Sequence, residues 1–158
     1  MVFSSLTFLF LFLPAVLGLY FIAPPRFRNL ILLLASLGFY AWGEGRLVLL
    51  MIGSGILNWA FGLALGRTSD KRWRLRILWL ALAVNLGILV FYKYTLFLIE
   101  NLNPLLEPIG LALPATSIAL PIGISFFTFQ ALSYVIDVYH GRVEVQRRLD
   151  RLTLYIAL

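Results

Sequence analysis

The sequence predicts an all-α fold that spans a membrane, from three observations. Hydrophobic residues make up 61% of the 158 and charged residues only 13%, too little polar surface to cover a soluble globule. The apolar residues fall into runs long enough to cross a bilayer, and the basic residues gather in the gaps between those runs. The architecture expected is a polytopic transmembrane helical bundle of about five membrane helices plus the start of a sixth, near 2–23, 29–45, 47–65, 77–99, 118–138 and 149–158. The formal charge of +6 sits in loops between apolar runs, which argues for a membrane surface and against nucleic acid. Cysteine is absent and there is one histidine, so disulfides and thiolate chemistry are excluded and no metal site is expected.

Each element has its own justification. Val2 to Ala23 is apolar, with no basic residue ahead of it and no small-residue cleavage site after it, so it reads as a retained helix that Pro14 bends and Pro24-Pro25 ends. Arg26 and Arg28 form a short basic connection. Leu30 to Trp42 is only 13 residues, about 20 Å as helix, and is read as a crossing that extends towards Gly45. In Leu47 to Leu65, the residues Ser54, Asn58, Gly62 and Gly66 recur every four positions, a small and polar stripe that includes a GxxxG pattern and reads as close helix packing within the bundle, with dimerisation as the alternative. Ile77 to Ile99 carries Asn85 inside it, and Lys93 between two tyrosines as an interfacial anchor. Glu100 to Ser117, with three prolines and no basic residue, is expected to be an irregular external loop.

The segment 118–138 differs from a plain lipid-soluble rod. At about 100° per residue, Gly123, Gln130, Ser133, Tyr134 and Asp137 share one side, and an amide and a carboxylate are costly to expose to lipid. That side must face protein or water. Gln130, Ser133 and Asp137 are therefore the candidate substrate-contacting residues, lining a polar cavity or packing between helices. Asp137, near the helix end where the macrodipole disfavours a carboxylate, is expected to pair with Arg142, Arg147 or a basic residue on another helix. Pro121 is placed in the first turn and Gly141 just past the end.

Read with the N-terminus outside, the successive connections carry +2, 0, +4, −2 and +2, so each obeys the rule that basic loops stay cytoplasmic. The final segment from Leu149 would span only about 15 Å, half a hydrocarbon core, so the sequence is expected to be the N-terminal part of a longer membrane protein. No complete catalytic constellation can be assembled. The elbow pattern fails at Gly123-Ile124-Ser125-Phe126-Phe127, the dinucleotide pattern fails after Gly43-Glu44-Gly45, and no phosphate-binding P-loop exists. His140 lies in a juxtamembrane loop with no neighbouring serine to activate and reads as an interfacial or phosphate-contacting residue.

Met1-Val2-Phe3-Ser4-Ser5 with Phe8-Leu9-Phe10-Leu11-Phe12-Leu13-Pro14, then Ala35-Ser36, Phe39-Tyr40-Ala41-Trp42-Gly43-Glu44, and above all LPIGISFFTFQALSYVIDVYHG from Leu120 to Gly141 resemble the N-terminal portion of the membrane-bound O-acyltransferases, in the alginate O-acetyltransferase branch. The resemblance implies a multi-pass enzyme of the bacterial inner membrane that O-acetylates an exported polysaccharide such as alginate or another cell-envelope polymer. It implies no bound cofactor; the acyl donor, acetyl-coenzyme A or an acyl carrier thioester, is a cytoplasmic substrate. The implied partners are the lipid bilayer, the remainder of the acyltransferase bundle and a periplasmic or extracellular acetyl-transfer protein. The family's essential histidine lies further along than this chain reaches, and His140 stands where similar proteins carry arginine, so no catalytic residue is assigned here. The competing readings are a non-catalytic membrane scaffold or translocation subunit and an inactive truncated product.

Overall fold

The computed structural model describes residues 6–106 and 120–158, and all regular structure among them is helical. A π-helical turn over Phe8–Phe12 runs into α1 (Leu13–Ile22). Pro14 lacks an N–H and falls just after this widened turn, so the helix accommodates it by a register shift. α2 (Pro25–Glu44) begins with Pro25 at its first positions, where the missing N–H costs nothing, and so draws Arg26 and Arg28 into the helix. This corrects the 13-residue run and basic connection expected from the sequence: α2 has 20 residues, about 30 Å, a full hydrocarbon core. Arg28 Nε donates back to Ala23 O at 3.2 Å, capping α1.

The chain breaks at Gly45, whose φ of 59° is open to glycine at no steric cost, and passes through a 3-10 turn (Gly45–Leu47) into α3 (Val48–Arg67). α4 (Lys71–Leu106) starts under an Asp70 cap, with Arg72 N–H donating to Asp70 Oδ1 at 2.9 Å. At 36 residues α4 carries helix through Glu100 and Pro104, where the sequence suggested irregular loop. Glu107, Pro108 and Pro114 of that expected loop, and residues 1–5 of the first segment, lie outside the described residues.

α5 (Ile124–His140) is 17 residues, shorter than the 118–138 helix expected, and shifted towards its C-terminus. Gly123 adopts a left-handed φ of 77° before the helix, and Pro121 lies in the preceding turn, accepting Ile124 N–H at 3.2 Å, so neither belongs to the helix as the sequence suggested. Its end is as expected: Gly141 at φ 72° closes a Schellman motif, with Arg142 N–H to Asp137 O at 2.9 Å and Gly141 N–H to Val138 O at 3.2 Å. α6 (Leu149–Ala157) is one short amphipathic piece. By length and apolar content, the runs Pro25–Arg67 and Lys71–Pro104 are able to cross a membrane, while Phe8–Ile22 is shorter.

α5 packs on α3 and α4, and α6 lies against α2 and α3. The core they share includes Leu65, Ala81, Phe127, Ala131, Val135 and Ile156. The small residues of α3 permit this approach. A Cβ on Gly62 would stand 2.8 Å from Tyr134 Cε1, one on Gly55 2.9 Å from Thr153 Oγ1, and one on Gly66 2.6 Å from Val145 Cγ2. The stripe thus meets the chain's own later segments.

Within it, Asn58 and Asn85 form a reciprocal amide pair between α3 and α4. Asn58 Nδ2 donates to Asn85 Oδ1 at 2.9 Å, Asn85 Nδ2 returns the bond at 3.0 Å, and each amide's second hydrogen goes to its own helix, to Ser54 O and Ala81 O. Both side chains are buried, so a lone survivor would have unpaired polar atoms. Asn58→Leu alone is expected to destabilise by about 1–2 kcal/mol, whereas Asn58→Leu with Asn85→Leu is expected to stay within about 1 kcal/mol of the parent. Unfolding in detergent measures the difference.

Candidate functional site

The C-terminal ends of α3 and α5 meet the start of α4 at one end of the bundle, and one side chain ties them together. Arg74 Nη1 donates to Leu65 O at 2.7 Å, while Nη2 donates to Val138 O at 3.1 Å and Tyr139 O at 2.8 Å. A guanidinium thus satisfies the orphan carbonyls of two helix ends, where the macrodipoles favour a cation. Its plane also lies 5.7 Å from the Tyr139 ring centroid. The two basic connections, between α3 and α4 and after α5, are therefore brought to the same end. Nothing in the sequence separated Arg74 from its basic neighbours; only its position i+3 within α4, facing inward with Ile77 and Ala81, marks it.

From this end residues 142–148 turn back along α3 without regular structure. Val145 packs on Gly66, Gln146 N–H donates to Tyr134 Oη at 3.1 Å, and Trp59 Nε1 donates to Arg147 O at 3.2 Å. Protein groups thus take polar atoms of this non-helical backbone, and the segment also borders a polar cavity. Tyr134, Asp137, Glu144, Gln146, Arg151 and Tyr155 line a cavity of about 300 Å³ between this strap, α5 and α6.

The three sequence-predicted site residues follow one flank of α5 into this region. Asp137 lines the cavity and pairs with Arg142 at 3.5 Å, both side chains being open enough to solvent that the pair contributes at most about 1 kcal/mol. Ser133 Oγ bonds Gln130 O at 2.8 Å and reaches Tyr155 Oη at 3.2 Å. Gln130 Nε2 donates to Tyr155 O, while its Oε1 is buried with no hydrogen-bond partner among the described residues. Gln130 and Ser133 are thus covered by α6, and only Asp137 among the three borders the cavity directly. Tyr134, grouped with them by periodicity, points instead at Gly62 of α3 and contributes its hydroxyl to the cavity rim.

His140 does not border the cavity: its Nδ1 pairs with Ile136 O at 2.9 Å, one turn back at the exposed end of α5. The carboxylates, hydroxyls, amide and guanidinium around the cavity equip it to hold and orient a polar ligand by hydrogen bonds. A second cavity of about 450 Å³ lies at the opposite end, walled mainly by apolar residues such as Phe12, Phe39, Phe126 and Ile156.

Apolar helices of spanning length, buried amides between them and basic connections gathered at one end define a helical membrane protein. The chain is 42% identical over 160 residues to the probable alginate O-acetylase AlgI of Pseudomonas aeruginosa and 43% over 164 residues to that of Azotobacter vinelandii, matching along all of its own length. It is 34% identical over 154 residues, 94% of the chain, to the peptidoglycan O-acetyltransferase of Helicobacter pylori. It spans 31%, 32% and 29% of these relatives, respectively. No family model matches the chain, and no solved structure matches it significantly. Along its whole length the chain is thus similar to the N-terminal portion of proteins named alginate O-acetylase, which are membrane-bound O-acyltransferases.

Proposed function

We propose that this chain forms the first helices, and part of the wall of the central cavity, of an enzyme that O-acetylates an exported cell-envelope polysaccharide. The observation that carries this reading is the match along the whole chain to proteins named alginate O-acetylase, joined by one named peptidoglycan O-acetyltransferase. Both names share the reaction and differ in the polymer, so the acetyl transfer is the firmer half of the proposal. In this reading about five helices cross the inner membrane and α6 begins a sixth. The N-terminus is external, and the end held together by Arg74 faces the cytoplasm.

The acetyl donor, acetyl-coenzyme A or an acyl carrier thioester, then approaches from the side of the polar cavity. The histidine that performs the transfer belongs to the rest of the bundle, and a separate extracytoplasmic protein completes delivery to the polymer. Asp137, with Gln130 and Ser133 behind it, shapes the polar wall along which the substrate is held.

Surface polysaccharide from a strain deleted for the gene is expected to lose its O-acetyl groups and to regain them on complementation. Unchanged acetylation in the deletion would overturn the assignment. Asp137→Asn is expected to leave thermal stability within about 1 kcal/mol of the parent, since the Arg142 pair is open to solvent. In the complemented strain it is expected to lower acetylation several-fold. Full acetylation with this variant would remove Asp137 from the site.

A further inference from the structure

We propose that the outward face of the basic end of α4 binds an anionic diacyl phospholipid, its headgroup held by Arg72 and Arg76; this rests on the membrane location of the helix and not on the enzymatic reading. α4 divides by face. Arg74, Ile77, Ala81, Asn85 and Leu89 turn inward and are buried or half-buried, whereas Arg72, Arg76, Trp79, Ala83, Leu86 and Val90 are exposed on the other side. Two guanidinium groups one helical turn apart therefore sit at the foot of an apolar stripe that begins with a tryptophan, the residue suited to the headgroup boundary.

Neither arginine has an ion pair among the described residues. The adjacent carboxylate, Asp70, is engaged as the cap of α4 through the Arg72 N–H at 2.9 Å. The Arg76 guanidinium is held over the Trp73 ring at 4.9 Å. Cations in the first turns of a helix oppose its macrodipole, and Arg74 alone is offset by carbonyl ends, so Lys71, Arg72 and Arg76 call for an external anion.

A phosphodiester carrying two acyl chains answers both halves of the face. Its phosphate oxygens meet the arginines, and its chains run along Trp79, Ala83 and Leu86. A soluble acidic protein would satisfy the charge but leave Trp79 and the apolar stripe uncovered.

These 158 residues contain no cysteine, so with any cysteine elsewhere in the protein replaced, a single Ala83→Cys carrying a fluorophore reports on the lipid seated there. The intact protein is reconstituted in phosphatidylcholine nanodiscs, and brominated phosphatidylglycerol or brominated phosphatidylcholine is titrated in. Quenching is expected at severalfold lower mole fraction of the anionic lipid, and this preference is expected to fall about fivefold for each of Arg72→Gln and Arg76→Gln. Arg46→Gln, outside this face, is expected to leave it unchanged. Equal quenching by the two lipids would overturn the proposal and leave the face to an acidic protein. A preference that survives in the double arginine variant would overturn it equally.

Discussion

Replacing Arg74 with leucine is expected to cost about 3–5 kcal/mol of stability, the largest loss expected of any single exposed-loop or helix-end substitution in the chain. The reason is geometric. One side chain satisfies Leu65 O, Val138 O and Tyr139 O, so its removal orphans carbonyls at the ends of two helices at once. Arg74→Lys is expected to recover part of the loss, because an ammonium restores charge at the two dipole ends but not the forked geometry that reaches both. By contrast Arg72→Leu, two residues away on the outward face, is expected to change stability by under about 0.5 kcal/mol. Thermal unfolding in detergent separates these cases, with the Arg74→Leu midpoint falling by roughly 10 °C. Equal behaviour of the two leucine variants would show that Arg74 does not join α3, α4 and α5.

Gly62→Leu is expected to destabilise by about 3 kcal/mol, at the upper end of what overpacking produces. Even the first added carbon would lie 2.8 Å from Tyr134 Cε1, so α3 and α5 must separate or Tyr134 must leave its place. Leaving would also release the bond its hydroxyl accepts from Gln146 N–H, which holds the strap bordering the polar cavity. Gly62→Ala is expected to be harmful in the parent and nearly silent when combined with Tyr134→Ala, giving a coupling energy of about 1 kcal/mol or more. Since the glycine faces this chain's own α5, neither variant is expected to alter oligomeric state in light scattering. A dissociated dimer with an intact fold would return the small-residue stripe to an intermolecular role.

These two residues show how the sequence yields its structure unevenly. Gly62 was visible as part of a four-residue repeat, because small side chains at that spacing must share a helix face. The partner it admits, Tyr134, was not visible, since no local pattern states which helix lies opposite. Asn58 and Asn85 were likewise legible one by one as polar positions inside apolar runs, while their mutual bonding depended on the registry of α3 against α4. Arg74 was hidden by company: five basic residues in one connection look alike until the helix starts at Lys71 and turns one of them inward.

The misread boundaries have local causes. Pro25 reads in the sequence as a stop after the first helix but serves as the start of α2, and Pro121 and Gly123 read as part of α5 but form the turn that precedes it. Proline permits both readings wherever an N–H is not required, and only the chain's path decides between them. Gln130, Ser133 and Asp137 share one flank of α5, as a helical period requires. That α6 would cover Gln130 and Ser133, leaving Asp137 to border the cavity, depended on the return of the strap 142–148, which no periodicity encodes.

In the proposed orientation the two basic connections lie together at the cytoplasmic end of the bundle, and introduced cysteines test this directly, since these 158 residues contain none and any elsewhere in the protein can be replaced. Single cysteines at Ser69, Glu144 and Arg46 can be probed in spheroplasts with a membrane-impermeant maleimide. The account predicts labelling of Arg46→Cys from outside, and of Ser69→Cys and Glu144→Cys only after permeabilisation. External labelling at Ser69, or Ser69 and Glu144 found on opposite sides of the membrane, would contradict it.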